Sequence, residues 1–194
     1  RNGDLTATYF GGTKERNPDV CIWTSRKPKG SNRWLEPVLV ADGVFKTGSE
    51  EAKLAGLSGI DSTTTAADKG PVLDKKISKN ISAYQRKACW NPVIYQAPNG
   101  ELQLYFKIGS NVADWTGWII RSKDGGKTWS SREPLQKDYL GPVKNKPLLN
   151  KGRLIAPTSI EKGGWRLYFE YSDDMGKTWK RSDFVDADKG VLAI

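Results

Sequence analysis

The sequence predicts an all-β fold made of many short antiparallel strands. Tyrosine, tryptophan and β-branched residues, which favour strands, alternate with polar residues in short segments along the chain. The 20 glycines and 10 prolines interrupt these segments at close intervals, which is typical of turns between strands. No segment has the periodicity of a convincing amphipathic helix. We therefore expect several small antiparallel sheets within the 194 residues.

The predicted strands follow one another in hairpins. Residues 93–96 lead into Asn99-Gly100, a strong signal for a hairpin turn, and residues 102–106 form the returning strand. Further strands are predicted at residues 5–10, 20–24, 37–40, 118–120, 148–149, 153–156 and 165–171. Residues 56–70 are instead rich in Ser, Thr, Ala, Asp and Gly, so we expect an extended loop there, with one short helical turn around residues 50–57.

An internal repeat organises the second half of the chain. The octapeptide SKDGGKTW at residues 122–129 matches SDDMGKTW at residues 172–179, with an offset of 50 residues at every matched position. A third, degenerate copy, SRKPKGSNRW at residues 25–34, keeps the Ser, Gly and Trp but lacks the Asp. A period of about 50 residues with four short strands per unit is typical of a β-propeller.

The residue types of the repeat predict a structural turn. The aspartate can accept backbone N–H bonds within the turn, the glycine permits a positive φ, and the tryptophan can pack its ring into the sheet. We therefore interpret these residues as turn-forming rather than catalytic, on the face away from the expected ligand site. They are Ser122, Asp124, Gly126, Thr128 and Trp129 in the first copy and Ser172, Asp174, Gly176, Thr178 and Trp179 in the second.

The pattern S-x-D-x-G-x-T-W resembles the Asp-box, or BNR repeat, of sialidase-like β-propellers. The resemblance extends to YFGGTKERNPDVCIW at residues 9–23, CWNPV at 89–93 and GPVKNKP at 141–147, and it excludes residues 44–87. It implies a sialidase-like six-bladed β-propeller, of which this chain supplies about three four-stranded blades. The missing half of the propeller would be a second chain or another fragment from the same gene.

On this interpretation the chain divides into successive blades. Blade one occupies about residues 1–42, without its first strand, and an inserted loop occupies about 43–87. Blade two covers about residues 88–135, blade three about 140–185, and residues 186–194 begin a fourth blade. The inserted loop could be a lid over the ligand site or a surface excursion.

The composition excludes several kinds of active site. The chain has no histidine, so a histidine general base, a histidine metal ligand and a Ser-His-Asp triad are ruled out within it. Cys21 and Cys89 are the two cysteines; they cannot form a zinc site by themselves, and they could be either a disulfide or two buried thiols. We therefore expect no metal and no cofactor.

The net charge of +9 does not come from clustered basic residues. The 31 Lys and Arg residues are scattered among 22 acidic ones, without a long basic run. We therefore expect no nucleic-acid partner, and the charge favours a solvated surface or an anionic small ligand. No run of about 18 apolar residues is present, so no membrane-spanning helix is expected.

In the propellers that the chain resembles, the ligand-facing loops join the second strand of a blade to the third and join one blade to the next. The residues found there combine carboxylates, cations, amides and indoles, a mixture suited to the hydroxyls and rings of sugars. They are Lys14, Glu15, Arg16 and Asp19 from blade one, Trp90, Asn91, Lys107, Asn111, Asp114 and Trp115 from blade two, and Lys144, Asn145, Lys146, Ser159 and Glu161 from blade three.

The resemblance also implies a catalytic acid/base in the loop after the second strand of blade one. Asp19 and Glu15 are the candidates, and Asp19 is preferred. The alternative is that both residues form turn bonds, or ion pairs with Lys14 and Arg16. Sialidases use a Tyr nucleophile and bind the substrate carboxylate with three arginines. We expect the Tyr–Glu pair and these arginines to lie outside residues 1–194.

Three functions fit these features. A sialidase-like exo-glycosidase would hydrolyse a terminal acidic sugar. A carbohydrate-binding propeller, a lectin, would bind a glycan without hydrolysis, and an interaction scaffold would use the repeat purely as architecture. The family resemblance and the basic charge favour the first function, with a glycan or acidic sugar as the partner.

Overall fold

The computed structural model describes residues 3–57, 65–66, 70–73, 83–160 and 166–185. These residues form antiparallel sheets, one short α-helix and one turn of 3-10 helix. The strands are β1 (Leu5–Gly11), β2 (Cys21–Lys27), β3 (Val38–Ala41), β4 (Val44–Lys46), β5 (Thr65–Ala66), β6 (Tyr84–Arg86), β7 (Ala88–Gln96), β8 (Leu102–Gly109), β9 (Thr116–Ser122), β10 (Glu133–Pro134), β11 (Leu148–Asn150), β12 (Arg153–Ile160), β13 (Arg166–Ser172) and β14 (Lys180–Arg181). Helix α1 covers Glu50–Leu54, and the 3-10 turn covers Val112–Asp114.

The first sheet contains three strands in the order β1-β2-β3. β1 pairs with β2 along its whole length, and the pairing ends at Gly11 opposite Cys21. Among the described residues, no strand pairs with the other side of β1. β1 is therefore an edge strand, and two of its aromatic side chains, Tyr9 and Phe10, are partly exposed.

The second and third sheets each contain four antiparallel strands, in the orders β7-β8-β9-β10 and β11-β12-β13-β14. Consecutive strands are neighbours, so each sheet is a simple meander. The β7–β8 hairpin uses the predicted Asn-Gly turn: Asn99 accepts a hydrogen bond from the Glu101 N–H at 3.0 Å, and Gly100 has a φ of 93°. In both sheets the octapeptide repeat connects the third strand to the fourth.

The segment between the first and second sheets differs from a plain extended loop. Helix α1 provides the helical turn expected around residues 50–57, and it begins after Ser49, whose hydroxyl accepts from the Ala52 N–H at 3.2 Å. The described parts also form a small sheet in the order β4-β6-β5, which the sequence does not predict. Its strands are too short to show an alternating pattern of apolar and polar residues.

Two hydrophobic clusters join the sheets to one another. The larger cluster combines Ile22 of the first sheet and Trp118 of the second with Phe45 of the inserted segment. The other lies between the second and third sheets, where Tyr105 meets Trp179 edge-on with ring centroids 5.8 Å apart. Each fully buried large apolar side chain contributes about 1.5–3 kcal/mol to folding, so these contacts dominate the packing of one sheet against the next.

The predicted fold class is confirmed. The structure is all-β, its main sheets are antiparallel, and the described sheets do not close into a ring, as expected for part of a propeller. No helix in the described ranges has the length and apolar character needed to cross a membrane.

Candidate functional site

One surface cavity of about 360 Å³ lies where edges of the three main sheets converge. Edge strands β1 and β7 border it, together with the segment that leads into edge strand β11. In a propeller the innermost strands of the blades, here β7 and β11, surround the central axis, so this cavity beside them is the candidate ligand site. Its lining residues are Thr8, Tyr9, Phe10, Asn91, Pro92, Val143 and Lys144.

A β-bulge in β7 brings Asn91 to this cavity. The pairing of β7 with β8 shifts register between Trp90 and Val93, so that β7 contains one extra residue there. Asn91 has a φ of 41°, which asparagine tolerates better than most residues. Pro92 fits the edge strand because it has no N–H that would need a pairing partner. The Asn-Pro sequence therefore places an amide side chain at the inner edge of the second sheet.

The cavity combines groups that recognise sugars. Tyr9 is 38% exposed and Phe10 37% exposed, so both rings offer surface on which a sugar can pack. The Tyr9 hydroxyl shares a hydrogen bond with the Ser25 hydroxyl at 3.0 Å, which fixes the ring. Asn91 adds a hydrogen-bonding amide, and the exposed Lys144 adds a positive charge. Asn91 and Lys144 were predicted from the sequence as ligand-facing residues, whereas Tyr9 and Phe10 were predicted only as part of a strand.

Asp19 lies at the end of the β1–β2 connection, two residues before β2, and is not one of the residues that line the cavity. Its Oδ2 accepts from the Thr13 N–H at 2.8 Å, and its Oδ1 accepts from the Thr13 hydroxyl at 3.2 Å. Gly12 permits this return of the loop, since a Cβ there would lie 2.8 Å from the Cα of Val20. Asp19 is 8% exposed and is held in one orientation. These contacts are turn bonds, the alternative that the sequence left open.

Lys14, Glu15 and Arg16 are exposed at the tip of the same loop. The tip is closed by a hydrogen bond from the Asn17 N–H to the Lys14 carbonyl at 3.0 Å, and Arg16 adopts a φ of 74°. No ion pair joins Glu15 to either basic neighbour within the described part of the chain. Glu15 and Arg16 therefore have freely accessible charges.

The indoles of Trp90 and Trp115 pack against each other beside the site. Their ring centroids are 5.5 Å apart, and the Trp90 Nε1–H donates to the Gly109 carbonyl at 2.8 Å. Trp90 is 3% exposed and belongs to a small cluster with Val20 and Ala88. The structure therefore places Trp90 in the interior, where it cannot stack on a ligand.

Lys107 is fully buried and does not line the cavity. Its Nζ donates to the Pro142 carbonyl at 2.8 Å, and burial lowers the pKa of Lys107 to about 7, an effect that nearby Glu170 partly offsets. Burial also raises the pKa of Glu170, which accepts from the N–H groups of Leu140 and Gly141 at 3.1 and 2.6 Å. Both side chains therefore bind the backbone of the connector between the second and third sheets.

Asn111 and Asp114 form a reciprocal cap on the 3-10 turn. The Asn111 side chain accepts from the Ala113 N–H at 2.9 Å, and Asp114 accepts from the Asn111 N–H at 2.8 Å. Asp114 also forms an ion pair at 3.1 Å with Lys87, whose side chain is 3% exposed. Asn111 and Asp114 were predicted to contact the ligand, but in the structure both side chains stabilise the loop between β8 and β9.

The remaining predicted residues of blade three are dispersed. Lys146 lines a different cavity, of about 420 Å³, together with Asp4, Gln96 and Asp124. Asn145 is exposed, Ser159 is half-buried in β12, and Glu161 lies outside the described residues, as do residues 186–194. The cavity between the sheet edges thus brings together only Asn91 and Lys144 of the predicted ligand residues.

In the first octapeptide, Asp124 ties the turn together. Its carboxylate accepts from the Ser122 hydroxyl at 2.8 Å, the Lys127 N–H at 2.9 Å and the Thr128 hydroxyl at 2.6 Å. The hydrogen bonds from Thr128 hold the pKa of Asp124 well below its usual range. Gly126 has a φ of 82°, and Trp129 packs against the larger core cluster.

The second octapeptide repeats this arrangement. Asp174 accepts from the Ser172 hydroxyl at 2.8 Å, the Lys177 N–H at 3.0 Å and the Thr178 hydroxyl at 2.6 Å. Although partial burial raises the pKa of Asp174, the bonds from Thr178 outweigh it and lower that pKa to about 2. Gly176 has a φ of 83°, and Trp179 is 2% exposed. The bonds of both copies are those of a turn, and neither carboxylate lines the candidate cavity.

The degenerate copy at residues 25–34 is built differently. The Lys29 N–H donates to Asp4 at 2.8 Å, so a carboxylate from outside the copy accepts a bond within this turn. Trp34 is 48% exposed, in contrast to the packed tryptophans of the intact copies.

Arg86, which sequence analysis did not single out, lies beside the Asp19 loop. Arg86 is fully buried, and its Nη2 donates to the Pro71 carbonyl at 2.8 Å and contacts the Cys21 Sγ at 3.5 Å. A Cβ on Gly70 would lie 2.5 Å from the Asp19 Cβ and 2.9 Å from the Arg86 Nη1. No pattern in a single sequence marks one arginine among many as buried, so only the tertiary contacts reveal it.

Cys21 and Cys89 are free thiols in the structure, and both are buried. Burial raises the pKa of Cys21 to about 12 and raises that of Cys89 well above its ordinary value. No group of three or more Cys, Asp or Glu side chains suited to a metal ion occurs in the described ranges.

Comparison with solved structures shows the same fold in larger proteins. The chain resembles a protein of unknown function from Dyadobacter fermentans (15% identity, TM-score 0.59), covering 97% of this chain and 53% of that one. It also resembles a Hadza microbial sialidase (15% identity, TM-score 0.60), and this match covers 95% of this chain and 36% of that one. A third similar structure is the α-L-arabinanase of Penicillium chrysogenum complexed with arabinobiose (20% identity, TM-score 0.52), where the match covers 95% of this chain and 46% of that one. The chain thus spans about half, or less, of each of these proteins.

At the sequence level, no curated protein matches the chain. The BNR repeat-like domain family matches residues 3–56 and 67–194, a range that includes the converging sheet edges and both intact octapeptides. Because this match covers nearly the whole chain, the protein belongs to the BNR repeat-like domain family, and it shares its fold with sialidases.

Proposed function

We propose that the protein is part of a sialidase-like exo-glycosidase that removes a terminal acidic sugar from a glycan. The observation that carries this proposal is the cavity at the converging sheet edges, where two partly exposed aromatic rings lie beside an amide and an ammonium group. The fold similarity to a sialidase and to an arabinanase, both of which act on carbohydrates, supports a sugar as the ligand.

In the proposed complex, the sugar packs against the edge of β1 at Tyr9 and Phe10, whose side chains lie on opposite faces of the strand. Asn91 hydrogen-bonds its hydroxyls, and Lys144 attracts its acidic group. These groups come from three different sheet edges, so the affinity depends on the packing of the blades against one another. The remaining blades, from a second chain or another fragment of the same gene product, would complete the other side of the cavity.

For hydrolysis we assign the acid/base role to Asp19, with Glu15 as the alternative. Asp19 follows the cavity-lining strand and is held in a fixed orientation by Thr13. Each carboxylate oxygen has a second lone pair, so Asp19 can keep its bonds to Thr13 and still carry the proton that it gives to a leaving-group oxygen. Glu15 is more accessible, but the exposed loop tip orients it less well.

The test is hydrolysis of fluorogenic sialosides and related keto-acid glycosides by the full-length protein. Asp19→Asn should lower kcat by about 10²–10⁴-fold, because it removes the transferable proton, whereas Glu15→Gln should leave kcat within about twofold. If Glu15→Gln instead causes the large loss, the two roles are exchanged. Absence of turnover with every substrate from acidic to neutral pH would overturn the proposed hydrolysis.

A carbohydrate-binding function without hydrolysis is the second candidate. It is favoured by the low exposure of Asp19 and by its bonds to Thr13, which give the carboxylate a structural role in the turn. A glycan array should then show binding that Phe10→Ala weakens by about tenfold or more, since the ring supplies packing surface. Phe169→Ala is a matched control, because Phe169 is also 37% exposed but lies on β13, outside the cavity.

A further inference from the structure

We propose that residues 70–73, here called the strap, are a positioning device that holds the Asp19 loop in place. The proposal rests on the assignment of Asp19 above and extends it to residues of the inserted loop, which the sequence predicts to be a lid or a surface excursion. Each end of the strap makes a specific contact with a different part of the first sheet or its connections.

The first contact is steric. Gly70 packs so closely against Asp19 that a Cβ at this position would lie 2.5 Å from the Asp19 Cβ and 3.0 Å from its Cα. The φ of 149° at Gly70 is also in a region that other residues rarely adopt. Only glycine therefore lets the strap support the backbone of Asp19 from this side.

The second contact is polar and buried. The Pro71 carbonyl accepts from the Arg86 guanidinium at 2.8 Å and from the Cys21 thiol at 3.7 Å. Cys21 in turn contacts the Asp19 carbonyl through its thiol at 3.4 Å. The carbonyl of Pro71 thus lies over a buried group of side chains that touches the Asp19 backbone.

The third contact anchors the far end of the strap. The Leu73 N–H donates to Asp42 at 2.6 Å, and Asp42, which is 4% exposed, forms an ion pair with Arg132 at 3.1 Å. Arg132 also donates to the Val44 carbonyl at 2.5 Å and packs on the Phe45 ring at 4.2 Å from its centroid. Through Asp42 the strap is therefore connected to Arg132, which immediately precedes β10 of the second sheet.

These contacts make the orientation of Asp19 depend on residues far from it in sequence. When the strap is displaced, the Asp19 loop loses a steric support, and the Cys21 thiol loses its cover. Cys89 is equally buried and lies near Cys21, but it packs in the larger core cluster, whereas the Cys21 thiol contacts the Pro71 carbonyl. The two thiols are therefore internal reporters, one for strap opening and the other for general loosening of the fold.

The experiment measures alkylation of each cysteine by peptide-resolved mass spectrometry in the full chain. Gly70→Ala should increase the rate at Cys21 by about tenfold or more, because local opening becomes easier, and should leave Cys89 unchanged. Gly48→Ala is the matched control: Gly48 also has a positive φ of 76°, but nothing lies within 4 Å of its added Cβ. It should change neither rate by more than about twofold.

Asp42→Asn is the second variant, since it weakens the anchor without adding bulk. It should raise the alkylation rate of Cys21 more than that of Cys89, although losing the ion pair with Arg132 also loosens the cluster that holds Cys89. The proposal that the strap holds the Asp19 loop would be overturned by either of two results. One is an unchanged alkylation rate at Cys21 in both variants, and the other is an equal increase in the rates at Cys21 and Cys89.

Kinetics then separate positioning from mere structural support. On a substrate that the wild type hydrolyses, Gly70→Ala should lower kcat by about tenfold to a hundredfold with KM within about twofold, because the sugar-binding cavity is intact and Asp19 is misplaced. Unchanged kcat despite an exposed Cys21 would overturn the positioning role. If the wild type hydrolyses nothing, the proposed function fails, and the alkylation rates still decide whether the strap holds the loop.

Discussion

Replacing Lys107 with methionine should stabilise the protein in weakly acidic solution but not in alkaline solution. Lys107 is fully buried, and burial lowers its pKa from 10.5 to about 7. The unfolded chain therefore keeps its proton more tightly than the folded chain. The contribution of Lys107 to stability is lowest below pH 7 and recovers as the pH rises from about 7 to about 10.5.

The size of this effect follows from the two pKa values. Each tenfold change in proton affinity corresponds to about 1.4 kcal/mol, so keeping the ammonium buried costs about 5 kcal/mol below pH 7. Between pH 6 and pH 10, about 4 kcal/mol of that cost disappears from the wild type. Methionine carries no charge but leaves the Pro142 carbonyl without the Lys107 donor, at a cost of about 1–3 kcal/mol that is independent of pH.

The variant should therefore be more stable than the wild type by about 2–4 kcal/mol at pH 6 and no more stable at pH 10. Urea unfolding followed by tryptophan fluorescence at both pH values measures this difference. Lys123→Met, at an exposed lysine, should show the same small difference from the wild type at both pH values. If Lys107→Met and the wild type differ equally at pH 6 and pH 10, the reasoning about the buried ammonium is refuted.

Three further substitutions test the packing. Asp174→Ala should lower the free energy of unfolding by about 1–3 kcal/mol, because the donors of its turn lose their acceptor; an unchanged urea midpoint would contradict this. Gly43→Ala should cost at least about 1–3 kcal/mol, since its Cβ would lie 1.9 Å from the Lys87 carbonyl oxygen, whereas Gly11→Ala, whose Cβ would meet only the Trp23 ring at 3.7 Å, should be much milder in a thermal melt. Trp118→Ala should cost about 3–5 kcal/mol in calorimetry, because Trp118 is fully buried; a loss below about 1 kcal/mol would show that the two sheets do not depend on it.

The intact octapeptides and the hairpin turn could be predicted from the sequence because their physics is local. Asp124 bonds to groups within four residues of it, and the Asn99-Gly100 turn joins two adjacent strands. The degenerate copy could not be predicted in the same way, since Asp4, which accepts from Lys29, comes from the other strand of the hairpin.

The candidate site was only partly predictable. Asn91 and Lys144 were found because a strand end and a connector place them at the inner edges of the blades. Lys107 and Trp90 occupy similar loop-proximal positions, yet both point into the interior. A single sequence gives their positions along a strand but not which face of that strand a neighbouring sheet will cover.

The sequence by itself determined the all-β class, the repeating four-stranded unit and the turn role of the octapeptides, because these depend on contacts between residues that are close along the chain. The tertiary structure alone decided which charged side chains are buried and that residues 70–73 lie against Asp19. Those features depend on contacts between residues 27 to 90 positions apart, where burial against another segment outweighs the local preference of a charged side chain for water.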